Sequence, residues 1–205
     1  MLKYTRYYLE DLPIFMLDNA PLLLLRHAFY LINVITKYIN CIYVKYYQLF
    51  VNVSCKNIFF LSYFFKNNFL TQFTTFADLA VKDILSTSYR FNCYYVFLTY
   101  SFFSRFVIET STDELVGLPS LYFLYNSANW IERECWDMFG IFFHSHPDLR
   151  RLLNDYGFQG FPLRKDFPLT GYYEIYFNDY FQIILFTPVV LAQELRFFYF
   201  QKSWS

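Results

Sequence analysis

Residues 41–67 read CIYVKYYQLFVNVSCKNIFFLSYFFKN, and this stretch decides the fold class. Two short runs within it, Cys41–Lys45 and Gln48–Val53, are rich in Ile, Val, Tyr and Phe and therefore predict the two strands of a hairpin. From residue 56 to residue 67 the apolar positions recur every three or four residues, which predicts an amphipathic helix. Two strands followed directly by a helix favour an α+β protein.

The regions on either side extend this order of elements. Residues 22–39 have helical apolar spacing, while Arg90–Tyr100 and Phe103–Thr110 indicate a second hairpin. Glu174–Phe177 and Phe181–Phe186 are predicted as a last pair of strands. Because helix, two strands, helix and further strands alternate in this way, we expect a sheet with helices on one face.

The character of the sequence changes in the second half of the chain. Four of the five glycines lie between Gly140 and Gly171, and residues 132–166 hold five basic and six acidic side chains although charge is sparse elsewhere. Glycine and proline in this region interrupt regular structure. We therefore predict a sheet domain at residues 1–126, followed at residues 127–205 by a helix and an extended interface arm.

The composition excludes several classes of partner. Lys plus Arg and Asp plus Glu number 17 each, so no global field attracts nucleic acid or an anionic membrane. A quarter of the residues are aromatic and the mean hydropathy is +0.21. A membrane-spanning helix requires about 20 consecutive apolar residues, and because polar residues interrupt the apolar stretches we expect no direct membrane span.

The abundance of Phe, Tyr, Ile, Asn and Lys also fits a genome rich in adenine and thymine, as organelle genomes often are. The first eleven residues, with Glu10 and Asp11, do not have the pattern of an import signal, as expected of a protein made where it works. The cysteines lack the spacing of zinc or iron–sulfur ligands and are expected to be buried thiols in a reducing compartment. They are Cys41, Cys55, Cys93 and Cys135.

A short charged helix is predicted at residues 128–138, with Gly140 as its terminator. Asn126, Ser127 and Asn129 are all candidate N-caps, and Asn129 with Glu132 resembles a capping box. Glu132 and Glu134 are then expected in its first turn. One interpretation is a solvated helix start. The other is an interface in which a companion polypeptide neutralises the charges, because bulky residues leave little of the helix surface for water. Those residues are Trp130, Trp136, Met138 and Phe139.

Two histidines raise a metal-site alternative, a metal-dependent enzyme using His144, His146 and nearby carboxylates. Glu132, Glu134 or Asp137 could complete such a site only after a chain reversal. The competing interpretation is an imidazole that hydrogen bonds to Asp148 or to a neighbouring chain. Basic and acidic residues alternate over short distances further on, which favours local ion pairs over phosphate binding. They are Arg150, Arg151, Asp155, Arg164, Lys165 and Asp166.

Three runs of sequence carry a family resemblance. They are Ala128-Asn-Trp-Ile-Glu-Arg-Glu-Cys-Trp-Asp-Met-Phe-Gly-Ile-Phe-Phe143, His146-Pro-Asp-Leu-Arg-Arg-Leu-Leu153 and Pro162-Leu-Arg-Lys-Asp-Phe-Pro-Leu-Thr-Gly171. Together they resemble the signature of the thirty-kilodalton-type subunit family of respiratory complex I, NADH:ubiquinone oxidoreductase. Residues 188–200 are similar to the closing motif of that family, whereas residues 1–110 match only in the order of elements.

The resemblance implies a two-layer mixed sheet with the order helix, two strands, helix, three strands, followed by an arm over the hydrogenase-like large subunit. The small iron–sulfur subunit would lie beside that neighbour, and the protein would sit on the matrix side of the inner mitochondrial membrane. This chain would bind no cofactor or metal and have no catalytic residue, since FMN, the iron–sulfur clusters, NADH and ubiquinone would be bound by other subunits. It would support electron transfer only as part of the complex.

The residues expected at subunit interfaces share charge or aromatic bulk in these motifs and in the tail. They are Trp130, Glu132, Arg133, Glu134, Trp136, Asp137, His146, Asp148, Arg150, Arg151, Asp155, Arg164, Lys165, Asp166, Gln193, Glu194 and Arg196.

Overall fold

The computed structural model describes residue 30 and residues 33–45, 48–193 and 196. Most of the helix expected at residues 22–39 falls outside these ranges. Tyr30 and residues 33–35 are helical, and a single 3-10 turn at Thr36–Tyr38 leads into the first strand.

Five strands form a mixed sheet with the order β1-β2-β5-β4-β3. All neighbouring strands are antiparallel except β2 and β5, which are parallel. The strands are β1 (Ile39–Lys45), β2 (Gln48–Val53), β3 (Thr75–Asp83), β4 (Phe91–Thr99) and β5 (Ser104–Thr112). Both predicted hairpins are confirmed, as is the α+β class.

Two α-helices lie within the described part of the chain after β2. Helix α1 (Ile58–Asn67) follows a 3-10 turn at Cys55–Asn57, and helix α2 (Ala128–Phe139) begins close to its predicted start. A short parallel pair, β6 (Leu118–Pro119) and β7 (Phe143–His144), flanks α2 in sequence. The helices predicted at residues 56–67 and 128–138 are therefore confirmed.

The core lies between one face of the sheet and the helices. Along β4 buried and half-buried residues alternate, as expected for a strand with one face in the core and the other only partly covered. Phe65 of α1 packs edge to face on Phe106 of β5 with 4.6 Å between ring centroids. Phe73, in the loop after α1, stacks on Phe106 at 5.1 Å, so aromatic rings fill much of this single apolar cluster.

Helix α2 packs against the edge strand β3. The buried Cys135 thiol of α2 points at the carbonyl oxygen of Leu79, with 3.6 Å between sulfur and oxygen. Ser127, which precedes the helix, donates its hydroxyl to the carbonyl of Phe76. The sheet therefore fixes both the start and the middle of α2.

By internal packing the chain divides into two units, one ending at Lys165 and the other beginning at Asp166. The second contains an antiparallel hairpin of β8 (Tyr173–Asn178) and β9 (Ile183–Pro188), as predicted. The boundary proposed after residue 126 stays a prediction. All four cysteines are free thiols. No helix among the described residues has the length and apolar character needed to cross a membrane.

Candidate functional site

Helix α2 begins and ends where the sequence predicts, but the contacts in its first turn differ from the prediction. Gly140 has a left-handed φ of 75°, and its N–H donates to the carbonyl of Trp136. The predicted capping box is wrong, because the N-cap is Ser127, which makes no side-chain capping bond, and Asn129 already lies inside the helix. The first turn contains no acidic residue, so the expected placement of Glu132 and Glu134 there is also wrong.

Glu132 is directed into the protein, where its side chain is fully buried. One carboxylate oxygen accepts the hydroxyl of Ser120, and the other accepts the N–H of Leu121 at 2.7 Å. Burial raises the pKa of Glu132 to about 7, and these two hydrogen bonds only partly oppose that effect. Nε2 of His146 lies 3.8 Å from the Glu132 carboxylate.

Asp137, five residues further along α2, organises the segment after β7. One carboxylate oxygen accepts the main-chain N–H groups of residues 152, 153 and 154. The other accepts the Asn154 amide at 2.8 Å and the Arg151 guanidinium at 3.0 Å. Burial alone would raise the pKa of Asp137, but the hydrogen bonds outweigh it and the net shift is downward. A charged carboxylate therefore holds this irregular segment in place.

A second set of ion pairs attaches the end of this segment to the sheet. Asp83 pairs with Arg90 through two bonds of 2.8 and 2.9 Å, and it accepts the N–H of Lys165 at 2.8 Å. The hydrogen bonds from Arg90 are the main reason why the pKa of Asp83 is lowered. Glu114 accepts from both Arg90 and Arg164, and Arg164 also donates to the carbonyl of Phe139.

Aromatic rings cover the arginines of both networks. The Arg164 guanidinium lies 4.4 Å from the ring centroid of Phe161, and Arg151 lies 5.1 Å from the same ring. Trp136 packs edge to face on Phe161 as well. A charged guanidinium over an aromatic face is attracted by the ring quadrupole, so these contacts strengthen the attachment of the segment to α2.

In the part of the chain that the structure describes, the two histidines and the nearby carboxylates do not form the set of ligands that the metal-site alternative requires. His144 is exposed and lies against Gly117. A Cβ added to that glycine would be 2.6 Å from Nε2 of His144. His146 is instead buried beside Glu132. Among the described residues, no three His, Cys, Asp or Glu side chains are grouped as metal ligands. The metal-site alternative therefore receives no geometric support from the described residues.

Most of the remaining predicted interface residues lie at the surface. Arg133 is buried, contacts the exposed ring of Trp130 and donates to the carbonyl of Arg150. Asp148 and Arg150 form an exposed ion pair at 2.8 Å. Glu194 lies outside the described residues. The other exposed positions of the predicted set are Glu134, Asp155, Lys165, Asp166, Gln193 and Arg196.

The source of charge neutralisation differs from the expectation. Sequence analysis attributed it to a companion polypeptide, but Glu132, Asp137, Arg151 and Arg164 find partners within this chain. The assignment of the predicted residues to subunit interfaces stays a prediction. Sequence reasoning missed Ser120, Arg90, Glu114 and Asn154 as partners. Of these, only Arg90 had a local signal, because it lies seven residues after Asp83 at the turn between two paired strands.

The hairpin of β8 and β9 has one exposed face that is wholly apolar, here called the apolar hairpin face. Its cross-strand register pairs Ile175 with Phe186 and Phe177 with Ile184 on that face. The opposite face is mixed, and several of its side chains are half-buried. The apolar hairpin face consists of Tyr173, Ile175, Phe177, Ile184, Phe186 and Pro188, all of them exposed.

The fold and the site define a class: an α+β protein in which the charged residues of one helix anchor a long irregular segment. The family described as "Respiratory-chain NADH dehydrogenase, 30 Kd subunit" matches residues 51–173. The chain belongs to this family. The solved structure of the membrane-bound sulfane sulfur reductase, an archaeal respiratory membrane complex, contains a chain with the same fold at a TM-score of 0.59 and 18% identity. The match covers 70% of this chain and 86% of that chain.

Two relatives extend the match beyond the signature. The NADH-ubiquinone oxidoreductase subunit 9 of Prototheca wickerhamii is 47% identical over 70% of this chain and 74% of its own length. The subunit of the same name from Acanthamoeba castellanii is 45% identical over 82% of this chain and 87% of its own length. Similarity therefore includes much of the sheet as well as the charged block.

Proposed function

We propose that this chain is a cofactor-free structural subunit of the quinone-reducing module in the peripheral arm of proton-pumping NADH:ubiquinone oxidoreductase. In this role it supports electron transfer from NADH to ubiquinone and has no independent catalytic activity. Family membership and the names of its relatives support the assignment to the complex. The electrostatic networks around α2 support a structural role, because their charges are used to hold one segment of chain on another.

The observation that carries the proposal is the apolar hairpin face. Soluble monomers rarely expose large contiguous apolar patches, and such patches commonly mark protein interfaces. Here aromatic and aliphatic residues face outward on both strands of one hairpin, including Phe177 and Phe186. A two-stranded hairpin is also only marginally stable by itself in water. A partner that covers this face explains both its composition and its persistence.

The partners we propose are the hydrogenase-like large subunit and the small iron–sulfur subunit, together with other subunits of the complex. The location would be the matrix side of the inner mitochondrial membrane. FMN, the iron–sulfur clusters, NADH and ubiquinone would all be bound elsewhere in the assembly. A rigid brace would matter there because small displacements of reacting groups cost large factors in rate.

The test compares two substitutions at adjacent positions of β8 that point to opposite faces. Phe177→Asp places a charge on the apolar hairpin face, whereas Tyr176→Asp places the same charge on the mixed face. We expect the tagged Phe177→Asp chain to be lost from the complex on native gels with mass spectrometry, while the Tyr176→Asp chain remains. Equal incorporation of both variants would refute a docking role for this face.

A further inference from the structure

A cavity of about 430 Å³ opens at the end of the sheet where β3 begins. It lies between the last turn of α1, the residues that lead into β3 and the loop at residues 123–127. Its volume is within the range of ligand pockets, roughly 300–1,000 Å³. Most of its lining is polar, and Lys66 is the only charged residue among the described residues that line it. The cavity is therefore suited to a negatively charged group.

Two contacts hold the Lys66 ammonium at this cavity. Its Nζ donates to the main-chain carbonyl of Leu124 and lies 4.9 Å from the ring centroid of Tyr125. The Tyr125 ring is fixed in turn, because its hydroxyl donates to the carbonyl of Phe73 at 2.7 Å. An ammonium group has three N–H donors, and the bond to Leu124 uses one of them. No Asp or Glu is among the described residues of the lining, so the cavity provides no counter-ion for this charge.

Neutral hydrogen-bonding side chains complete the lining. Thr74 and Thr75 have hydroxyl groups and Asn126 has an amide, and all three residues line the cavity. Such groups can donate to an anion. A carboxylate has a single charge, which one ammonium balances, and several acceptor sites for the neutral donors. A phosphate monoester has nearly two charges and is most often bound by guanidinium groups. The lining therefore favours a carboxylate.

Three segments of the chain meet at this end of the sheet, residues 66–75, 99–105 and 121–127. Cross-strand pairing places the start of β3 beside the end of β4, and the bond from Lys66 joins the third segment to them. The three segments contain two basic residues, Lys66 and Arg105, and no acidic residue. This end of the sheet is therefore positively charged, although the chain as a whole is neutral.

The same segments expose aromatic rings, one of which lines the cavity. The exposed rings are Phe69, Tyr100, Phe103 and Phe123. Aromatic residues are enriched at protein interfaces, where they anchor the partner. Attraction to an anionic membrane instead takes a cluster of roughly four to eight Lys and Arg residues, and these segments contain two. The observations therefore favour a carboxylate that belongs to a protein.

We propose that this cavity binds the carboxylate of an Asp or Glu side chain on another subunit, in a segment whose neighbouring residues are apolar. The carboxylate pairs with Lys66 and accepts hydrogen bonds from the hydroxyl and amide side chains of the lining. The apolar neighbours pack on Phe123. The site rests on the proposed function, because a subunit of the complex provides the acid. It adds a charged contact in the first unit to the apolar contact proposed for the hairpin.

Carbodiimide cross-linking of the assembled complex tests the site. This reagent joins an amine to a carboxylate in direct contact with it, and the water that is lost converts the carbodiimide to a urea. A tagged copy of the full chain is purified with its companions, and mass spectrometry identifies the products. We expect Lys66 to be joined to an Asp or Glu of another chain. A product that joins Lys66 to an acid of its own chain would contradict the proposal.

Two variants place a new carboxylate beside opposite ends of β3. Thr74→Glu introduces it into the cavity and Ser86→Glu introduces it beyond the other end of the strand, and both positions are exposed. Thr74→Glu should lower the yield of the product between Lys66 and the other chain about fivefold, because like charges a few Å apart repel each other in water. Ser86→Glu should leave the yield unchanged. Equal thermal unfolding midpoints for the two full-length variants exclude a merely structural cause.

The outcomes separate this site from the proposed function. A complex that co-purifies but gives no product at Lys66, or equal yields in the two variants, would overturn the site and leave the proposed function standing. A tagged chain that purifies without companions would refute both. If the full chain alone bound phosphatidylserine vesicles and Thr74→Glu abolished that binding, the ligand would be a lipid, and the proposal of a protein carboxylate would be wrong.

Discussion

Replacing Asp137 by Asn keeps the size of the side chain but removes the charge shared by Arg151 and three main-chain N–H groups. An amide also turns a donor toward groups that need an acceptor. Loss of one member of a buried charge pair costs about 3–5 kcal/mol, and since Arg151 is partly exposed we expect the lower figure, about 3 kcal/mol. Denaturant unfolding of the full chain measures this loss.

Asp155→Asn is the matched control for Asp137→Asn. The Asp155 side chain is exposed and accepts the neighbouring N–H of Tyr156, so its replacement should change stability by less than about 0.5 kcal/mol. Folding lowers the pKa of Asp137. The stability that Asp137 contributes is therefore present above the pKa of the unfolded state, and it is lost as the pH falls through the pKa of the folded state. Equal losses for the two variants would contradict the anchoring role.

Glu132 has the opposite pH dependence. Its pKa rises from 4.5 to about 7 on folding, so between these values the folded state keeps a proton that the unfolded state releases. Stability from this group is therefore complete below pH 4.5 and declines as the pH rises to 7, by about 3 kcal/mol in total. Glu132→Gln should remove that decline and leave the variant more stable than the wild type at pH 8.

Unfolding curves at pH 5 and pH 8 measure the effect of Glu132→Gln. Glu134→Gln is the control, since that side chain is exposed on the same helix. The pH dependence attributed to Glu132 is contradicted if the free energy of unfolding changes by the same amount between pH 5 and pH 8 in the wild type and in Glu132→Gln.

At the scale of elements, Gly140 connects the end of α2 to the anchored segment. A Cβ at this position would lie 2.6 Å from the Arg164 guanidinium and 2.7 Å from the Phe161 ring. Gly157 has nearly the same φ, 74° against 75°, but a Cβ there would meet nothing within 4 Å. The left-handed conformation alone costs an L residue about 1–2 kcal/mol.

The two glycines therefore separate backbone strain from steric overlap. Gly157→Ala should lose about 1–2 kcal/mol from the backbone conformation. Gly140→Ala should lose more, because Arg164 and Phe161 must also move, and their segment should exchange amide hydrogens faster. Thermal unfolding with hydrogen exchange provides both measurements. If the two variants were equally destabilised, the close packing against Gly140 would be irrelevant to stability.

The elements predicted from sequence were those with a regular apolar period. Strands β4 and β5 and helix α1 have such a period, and their hairpin or helical patterns identified them correctly. Strand β3 gave no clear pattern, because its register shifts between Phe76 and Asp78 and its buried positions include the charged Asp83. A bulge changes which residues point inward, so a simple alternation fails across it.

For the site, the sequence predicted which types of residue take part but not which residues they contact. The motif around Trp136 indicated a charged helix, and local ion pairing was expected in the segment that follows. The partner of Glu132 is Ser120, twelve residues earlier, and the partners of Asp137 follow a chain reversal 14 to 17 residues later. Local spacing contains no information about such pairs, which is why the capping box was predicted instead.

At the scale of the whole molecule, the two units differ in whether their side chains find contacts within the chain. The first places Glu132 and Asp137 in its interior and provides their hydrogen bonds from its own residues. The second exposes Ile175, Phe177 and Phe186 on one hairpin face. Dependence on a partner should therefore reside in the hairpin more than in the charged helix.

This difference predicts how the isolated chain behaves in solution. Ile175 and Phe186 are directly opposite each other on the apolar hairpin face, so Ile175→Glu with Phe186→Lys replaces an apolar pair by an ion pair in register. The wild-type chain should self-associate with rising concentration, because a large exposed apolar patch promotes association. The double variant should stay monomeric, as measured by sedimentation velocity.

Tyr176 and Leu185 form the equivalent cross-strand pair on the mixed face. Tyr176→Glu with Leu185→Lys adds the same charges to the same two strands, so it controls for net charge and for hairpin stability. This control should still self-associate, because the apolar hairpin face is intact. A wild-type chain that remained monomeric at high concentration would show that the exposed face needs no cover, and the strongest support for a partner at the hairpin would then be lost.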